Sequence, residues 1–277
     1  MQKPPVIVLV EPFGGSMRLH NPTMPHIFFD DASVTRGDGI FETLRVKNNE
    51  ACEFDAHAKR FARSAQALDL PHPDAQLWKK AADLALSQWG EEEGRMVWTL
   101  SRGRASTGVA TAWCVIYPID QGTLHQREHG VRCMLLPKGQ ASALGAKTLA
   151  YVDTMAAVRY AQSQGYDDVI FTHKGLLLEG STSSLITVKG KKLRTPEAKG
   201  ILESTTQRRV FDYAEKHGWK VKQRPMELEH ILGADSVWLV SSSRGPVLVT
   251  AVDEHPTSTH KAANKQARAL LNAALGF

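Results

Sequence analysis

Two residues in the second half of the chain carry side chains suited to the same piece of carbonyl chemistry. Lys147 stands between a glycine-containing loop, Leu144-Gly145-Ala146, and an apolar helical stretch. A lysine in an apolar setting has a depressed pKa, and its neutral amine condenses with an aldehyde to a Schiff base. Glu179 follows 32 residues later, after the apolar run Leu176-Leu177-Leu178 and before Gly180-Ser181-Thr182-Ser183-Ser184. A carboxylate facing a pyridine nitrogen keeps it protonated and makes the ring an electron sink. Three further places suit a phosphate. Ser204-Thr205-Thr206 stands where a loop enters a helix, and free N–H groups at the positive end of the helix dipole favour an anion. Ser241-Ser242-Ser243 follows a strand and offers a second cradle. Arg60 and Arg63 lie one turn apart on a helix, and one of them can add a bidentate charge. Each feature also has an ordinary reading, as helix caps, solvated arginines, a surface lysine and a strand end.

These residues need elements to position them. Val6 to Val10 reads as a strand, and Ile40 to Val46 as another, between the Gly37-Asp38-Gly39 turn and the turn at residues 47–50. Asp55 reads as the N-cap of a helix reaching Leu68, with Phe61, Ala65 and Leu68 on one face. A second helix spans Asp74 to Trp89 and stops at Gly90. Strands follow at Met96 to Leu100 and Trp113 to Tyr117. The polar, turn-rich stretch 118–130 suggests a boundary, giving a smaller N-terminal domain (1–120), a linker (121–130) and a larger C-terminal domain (131–277) carrying Lys147. That part holds a strand from Val131 to Leu136, a helix from Thr148 to Gln164, and a hairpin of Asp168–Thr172 with Leu176–Leu178. Further strands are Leu185–Val188 and Val237–Val240, with a helix from Ser204 to Gly218 and a last amphipathic helix from Thr257 to Leu275. The many antiparallel hairpins favour an α+β fold over a doubly wound sheet.

Composition narrows the function classes. The chain has 277 residues, 42% hydrophobic and 23% charged, enough for a large core without disulfide or metal support. Its net charge of +5 comes from scattered basic residues; the densest run, Lys189, Lys191, Lys192 and Arg194, reads as a hairpin turn. No aromatic-basic nucleic-acid patch stands out, and the charge suits solubility and anionic substrates. No apolar run approaches the roughly 18 residues of a membrane-spanning helix. Three widely spaced cysteines and eleven histidines without metal spacing suggest neither a disulfide framework nor a metal site, and a reducing cytoplasm is the expected compartment. The GxGxxG, GxxxxGK[ST], HExxH and GxSxG patterns are absent.

Taken in order, the motifs resemble those of the fold type IV pyridoxal-phosphate enzymes, which include branched-chain and D-amino-acid aminotransferases and 4-amino-4-deoxychorismate lyases. The likeness runs through nearly the whole chain. Asp30 to Arg45 (DDASVTRGDGIFETLR) resembles the N-terminal signature, and His57-Ala58-Lys59-Arg60 the HxxR that supplies a phosphate-binding arginine, Arg60. Lys147 to Tyr151 (KTLAY) resembles the Schiff-base segment, and Gly165 to Leu185 the longest signature, with Glu179 as partner of the pyridine nitrogen. Thr195-Pro196 and Gly200-Ile201-Leu202 lead into the phosphate site at Thr205 and Thr206, and Ser242-Ser243 resembles the last phosphate loop. The resemblance implies pyridoxal 5′-phosphate between two α/β domains of a homodimer, Leu202 packed on the ring, and Tyr151 near the phenolic oxygen. Three positions depart from the pattern: Ser204 replaces the usual glycine, Gln207 the usual arginine, and Ser184 the usual asparagine.

Within that family the pieces GAKTLAY, DDVIF and LLLEGSTSSL look most like 4-amino-4-deoxychorismate lyases of actinobacterial type, which release pyruvate and p-aminobenzoate for folate synthesis. The Gly-Gly-Asn-Tyr of branched-chain enzymes and the Arg-x-His pair of D-amino-acid aminotransferases are absent. Aminotransferase activity on D- or branched-chain amino acids is the alternative reaction. A non-catalytic cofactor carrier is the alternative from another class. Either enzyme takes a small-molecule substrate, and Arg36, Arg102, Arg104 and Arg244 are candidates to meet its carboxylates.

Overall fold

The computed structural model describes residues 3–11, 15–138, 145–257 and 260–277. Leu144, in the loop expected before Lys147, and residues 258–259, at the expected start of the last helix, lie outside the described residues. The chain forms two compact units, one from residues 1–119 with 144–151 and one from 120–143 with 152–277. Sheets with flanking helices make the class α+β, as the hairpin-rich pattern predicts.

The first unit is a six-stranded antiparallel sheet of β1 (Val6–Val10), β2 (Met17–His20), β3 (Gly39–Lys47), β4 (Glu50–Ala51), β5 (Gly94–Ser101) and β6 (Thr111–Pro118), in the order β2-β1-β6-β5-β3-β4. A short helix α1 (Ala32–Thr35) precedes β3, and α2 (Phe54–Ala67) and α3 (Ala75–Trp89) bury apolar stripes in its core. The N-cap of helix α2 is Glu53, two residues before the expected Asp55, and Asp55 lies in the first turn, where a carboxylate complements the dipole. Asp74 does cap α3, accepting the N–H groups of Gln76 and Leu77. The core centres on Phe61 of α2, Trp78 of α3 and Trp98 of β5, with ring centroids 4.9 to 5.9 Å apart.

Residues 147–149 also belong to this unit. The N–H of Phe41 donates to the carbonyl of Lys147 (3.0 Å), and that of Leu149 to the carbonyl of Gly39 (2.9 Å). The segment is thereby bridged to the start of β3, so the next helix, α5, begins at Val152 instead of Thr148. Lys147 groups with the first unit, not with the C-terminal part that chain order suggests. Gly39 permits the pairing: a Cβ there would lie 2.7 Å from both the Leu100 carbonyl oxygen and Leu149 Cδ1.

The second unit is a nine-stranded mixed sheet. In chain order its elements are α4 (Gln121–His129), β7 (Val131–Pro137), α5 (Val152–Ser163), β8 (Asp168–His173), β9 (Leu176–Gly180), β10 (Ser184–Lys189), β11 (Lys192–Pro196), α6 (Thr205–Lys216), β12 (Lys220–Arg224), α7 (Leu228–Leu232), β13 (Ser236–Ser241), β14 (Gly245–Val252), β15 (His255–Pro256) and α8 (Lys261–Leu275). The strands run β12-β11-β10-β13-β14-β7-β8-β9, with β15 beside β14. The polar stretch 121–130 is therefore not a linker. Asp120 accepts the Thr123 N–H (2.7 Å) and Gly130 closes the helix at φ +81°; α4 buries none of its residues, which accounts for its loop-like composition. Helices α6 and α8 cover one face of the sheet through Val210, Phe211, Ala267 and Leu271.

Trp98 is fully buried, and its indole joins α2 and α3 to the sheet. Trp98→Ala should cost about 3–5 kcal/mol, seen as a lower urea midpoint at unchanged slope.

Candidate active site

Strand β3 places two groups of the first unit. Its residues 40, 42, 44 and 46 are buried, so Glu42 is carried into the core beneath α2. Arg60, on α2, donates from Nε to Glu42 Oε1 (2.6 Å) and from Nη2 to Oε2 (2.7 Å). His57, one turn earlier, lies 2.7 Å from Oε2 through Nδ1. A carboxylate only accepts, so that nitrogen carries the proton. Burial alone would raise the Glu42 pKa. Hydrogen bonds from Arg60 and His57 and the charge of Arg60 outweigh it and hold the group down at about 2. Arg60 is thus a buried guanidinium with a fixed fork, whereas Arg63 is exposed.

Lys147 lies close to the aromatic residues of the same unit. Its Nζ stands 4.4 Å from the Phe41 ring centroid and 3.5 Å from the Tyr151 hydroxyl. Phe41 and Tyr151 meet edge to face at 5.2 Å. The Ser64 hydroxyl accepts the Lys147 backbone N–H (3.1 Å), which fixes the lysine's root against α2. An amine beside two aromatic rings and a phenol is partly desolvated and has a hydroxyl within reach of its proton.

The second unit holds the other expected groups. Glu179, on β9, accepts from Lys138 Nζ at 2.7 Å, and the same ammonium reaches the Gly200 carbonyl at 3.4 Å. A cavity of about 370 Å³ is lined by Glu179, Ile201, Leu202 and Ser204. Ser204 caps α6 by accepting the N–H of Gln207, so Thr205 and Thr206 open the helix with first-turn N–H groups that have no intrahelical acceptor. Ser242 and Ser243 form the tight turn between β13 and β14. Arg127 of α4 donates to the carbonyls of Ser243 (2.6 Å) and Arg244 (3.0 Å) and braces that turn. A carboxylate and an apolar Leu202 on one cavity, beside a helix N-terminus, form a donor set that fits a phosphorylated pyridine ring.

The four candidate substrate arginines fare differently. Arg244 does not present its charge to the cavity: it pairs with Asp168 (2.8 Å) and donates to Gln126 and Ser183, because the β13–β14 turn folds it inward. Arg104 pairs with Asp30 at 3.0 Å and lies over Phe28. Arg102 pairs with Asp38 (2.6 Å) and reaches the Leu68 and Asp69 carbonyls, though it keeps considerable exposure. Arg36 is exposed and donates to the Thr35 carbonyl. Glu42 and Lys138 were not legible as site residues. The signals available are the glutamate at alternate spacing in an otherwise apolar strand, and a lysine at the end of one.

The motif order agrees with known proteins. The family model for amino-transferase class IV matches residues 39–252. The chain belongs to the class IV aminotransferase family. A bifunctional aminodeoxychorismate lyase / D-amino acid transaminase of Mycobacterium tuberculosis is 34% identical over 80% of this chain and 84% of that protein. Among solved structures, a fold IV transaminase from Curtobacterium pusillum has a TM-score of 0.88 at 30% identity, covering 98% of each chain. A hypothetical aminotransferase from Mycobacterium tuberculosis in a PLP-bound form has a TM-score of 0.91 at 31% identity, again covering 98% of each chain. The chain is a pyridoxal-phosphate-dependent enzyme of fold type IV. No helix among the described residues is long and apolar enough to cross a membrane.

Glu42 supplies a test of the Arg60 setting. Its folded pKa lies below the unfolded value of about 4.3, so its contribution is complete above that pH and is lost as pH falls toward 2. Glu42→Gln should cost about 3 kcal/mol at pH 7. Chemical denaturation at successive pH values should show wild type losing this component between about pH 4.3 and 2, and the variant lacking it.

Proposed function

We propose that this enzyme is a 4-amino-4-deoxychorismate lyase that releases pyruvate and p-aminobenzoate. The observation that carries the reading is the 34% identity, over 80% of the chain, to a protein named for that lyase activity. Bound pyridoxal phosphate supplies an electron sink for bonds at the carbon bearing the substrate amine. Lys147 is the residue we assign to hold it covalently and to move the proton, through Nζ, with Tyr151 Oη at 3.5 Å as hydrogen-bonding neighbour. Glu179 is assigned to the ring nitrogen, and it pairs with Lys138 at 2.7 Å. Leu202 covers the ring. Arg60, the opening of α6 at Thr205 and Thr206, and the turn at Ser242 and Ser243 share the phosphate. Arg36 and Arg102 are the exposed candidates for the substrate carboxylates. The family pattern supports a homodimer, and the odd number of widely spaced cysteines supports a reducing cytoplasm.

D-amino-acid transamination is the second reading, since the same relative carries both activities in its name. Cofactor-loaded protein given 4-amino-4-deoxychorismate should yield pyruvate and p-aminobenzoate in equal amounts. If a yellow, folded protein yields neither but transfers the amino group of D-alanine to 2-oxoglutarate, the second reading replaces the first. Lys147→Ala should lose turnover and the yellow absorption of lysine-bound cofactor while keeping the wild-type circular dichroism. Full activity in that variant would overturn the assignment of Lys147.

A further inference from the structure

The second unit carries a cationic face that the cofactor chemistry does not use. Strands β10, β11 and β12 lie side by side at the edge of the nine-stranded sheet. Their register sets Lys189 opposite Lys192, Lys192 opposite Lys220, Arg194 opposite Lys222, and Pro196 opposite Arg224. Side chains alternate along a strand, so these six basic residues share one face. The other face carries Val188, Leu193 and Val221, packed with α6 and α8. None of the six cations lines the Glu179 cavity.

No ion pair joins any of the six to a carboxylate among the described residues. Like charges directly opposite one another destabilise a sheet. The charges of Arg224 and Lys192 hold the Lys222 ammonium below the usual lysine range, with burial, Arg194 and Lys220 adding to it. Where α7 crosses the face, a pocket of about 160 Å³ lies among Thr187, Lys189, Arg194, Glu229, His230 and Gly233. Arg194 Nε is buried and has no hydrogen-bond partner. Lys189 Nζ lies 3.9 Å from the point where Gly233 would carry a Cβ, so its ammonium closes the same pocket. Charged residues on an edge strand also discourage pairing between molecules. That purpose places charge on β12; it accounts neither for Lys189, Lys192 and Arg194 on inner strands nor for the pocket.

We propose that this face binds a soluble oligophosphate, one phosphate group seated in the pocket on Arg194 and Lys189 and the others on Lys192, Lys220 and Lys222. The residues that carry the cations stand about 5 Å apart across strands and about 7 Å along them at the backbone, a density matched by a ligand with several charges on few atoms. The strands carry no aromatic residue on this face to stack a nucleobase.

The test uses holoenzyme, so that the cofactor's phosphate occupies its own site, and titrates it calorimetrically with sodium tripolyphosphate and with orthophosphate. Tripolyphosphate should bind more tightly than orthophosphate and weaken with added salt. The double variant Arg194→Gln/Lys222→Gln should bind it at least tenfold more weakly while melting, unliganded, at or above the wild-type temperature. A second pair, Lys192→Gln/Lys220→Gln, repeats the test at more exposed positions should the first fail to fold. Affinity within twofold of wild type in a folded double variant overturns the proposal. So does binding of duplex DNA or anionic vesicles through these residues with no binding of tripolyphosphate.

Discussion

A carboxylate sealed in a protein core stays ionised only if cations and donors surround it, and Glu42 is the place where the first unit meets that demand. The obligation runs both ways. Glu42 needs Arg60 and His57, and Arg60, nearly buried itself, needs Glu42 to fix its guanidinium. The pair ties α2 to β3 by two hydrogen bonds. The aromatic cluster of Phe61, Trp78 and Trp98 supplies the packing that makes this possible, since it holds α2 against the sheet one residue from Arg60. Strand β3 then does a second job through residue 41: its backbone receives the 147–149 segment, and its Phe41 ring meets the Lys147 ammonium. One strand therefore fixes an arginine through residue 42 and a lysine through residue 41.

The second unit solves the same problem differently. Glu179 lies only partly buried, and a single lysine, Lys138, pairs with it at 2.7 Å. Arg244 and Arg127 are turned inward to brace the β13–β14 turn through carbonyls and Asp168. These arginines serve backbone geometry, which explains why a turn carrying three consecutive serines holds one shape.

How much of this was legible in the chain follows from the range of the interactions. Local signals were readable: a helix starting at Asp74, Ser204 at a helix start, Gly90 as a stop, the hairpins around Gly175 and Gly190. The ordered motifs marked Lys147, Glu179 and Arg60, whose side chains lie against Tyr151, Lys138 and Glu42 respectively. What misled were features decided by distant partners. The helix after Lys147 starts late because Gly39 and Phe41, over a hundred residues earlier, claim its first residues for strand pairing. The stretch 121–130 looks like a loop because a helix lying wholly on the surface needs no apolar stripe. Arg244 looked available because nothing near it in sequence is acidic; Asp168 reaches it only through the fold.

The cationic face is the extreme case of such long-range assembly. Read along the chain, Lys189 to Arg194 is a short basic turn, and Lys220 to Arg224 a polar strand separated from it by helix α6. A strand–helix–strand crossover through α6 lays β12 parallel to β11, and the register then matches basic residue to basic residue three times over. A net charge of +5 dispersed over 277 residues would have little local effect. Concentrated on three strands with no salt bridge to any of the six among the described residues, it repels itself, as the lowered Lys222 pKa records. Cross-strand repulsion of this kind lowers stability, and a one-residue slip of β12 would have relieved it by turning its cations to the other face. That slip would also have turned Val221 out of the core beside Leu193. Hydrophobic burial thus holds the cations together in the absence of any ligand, and an anion is the missing term that would turn their repulsion into attraction.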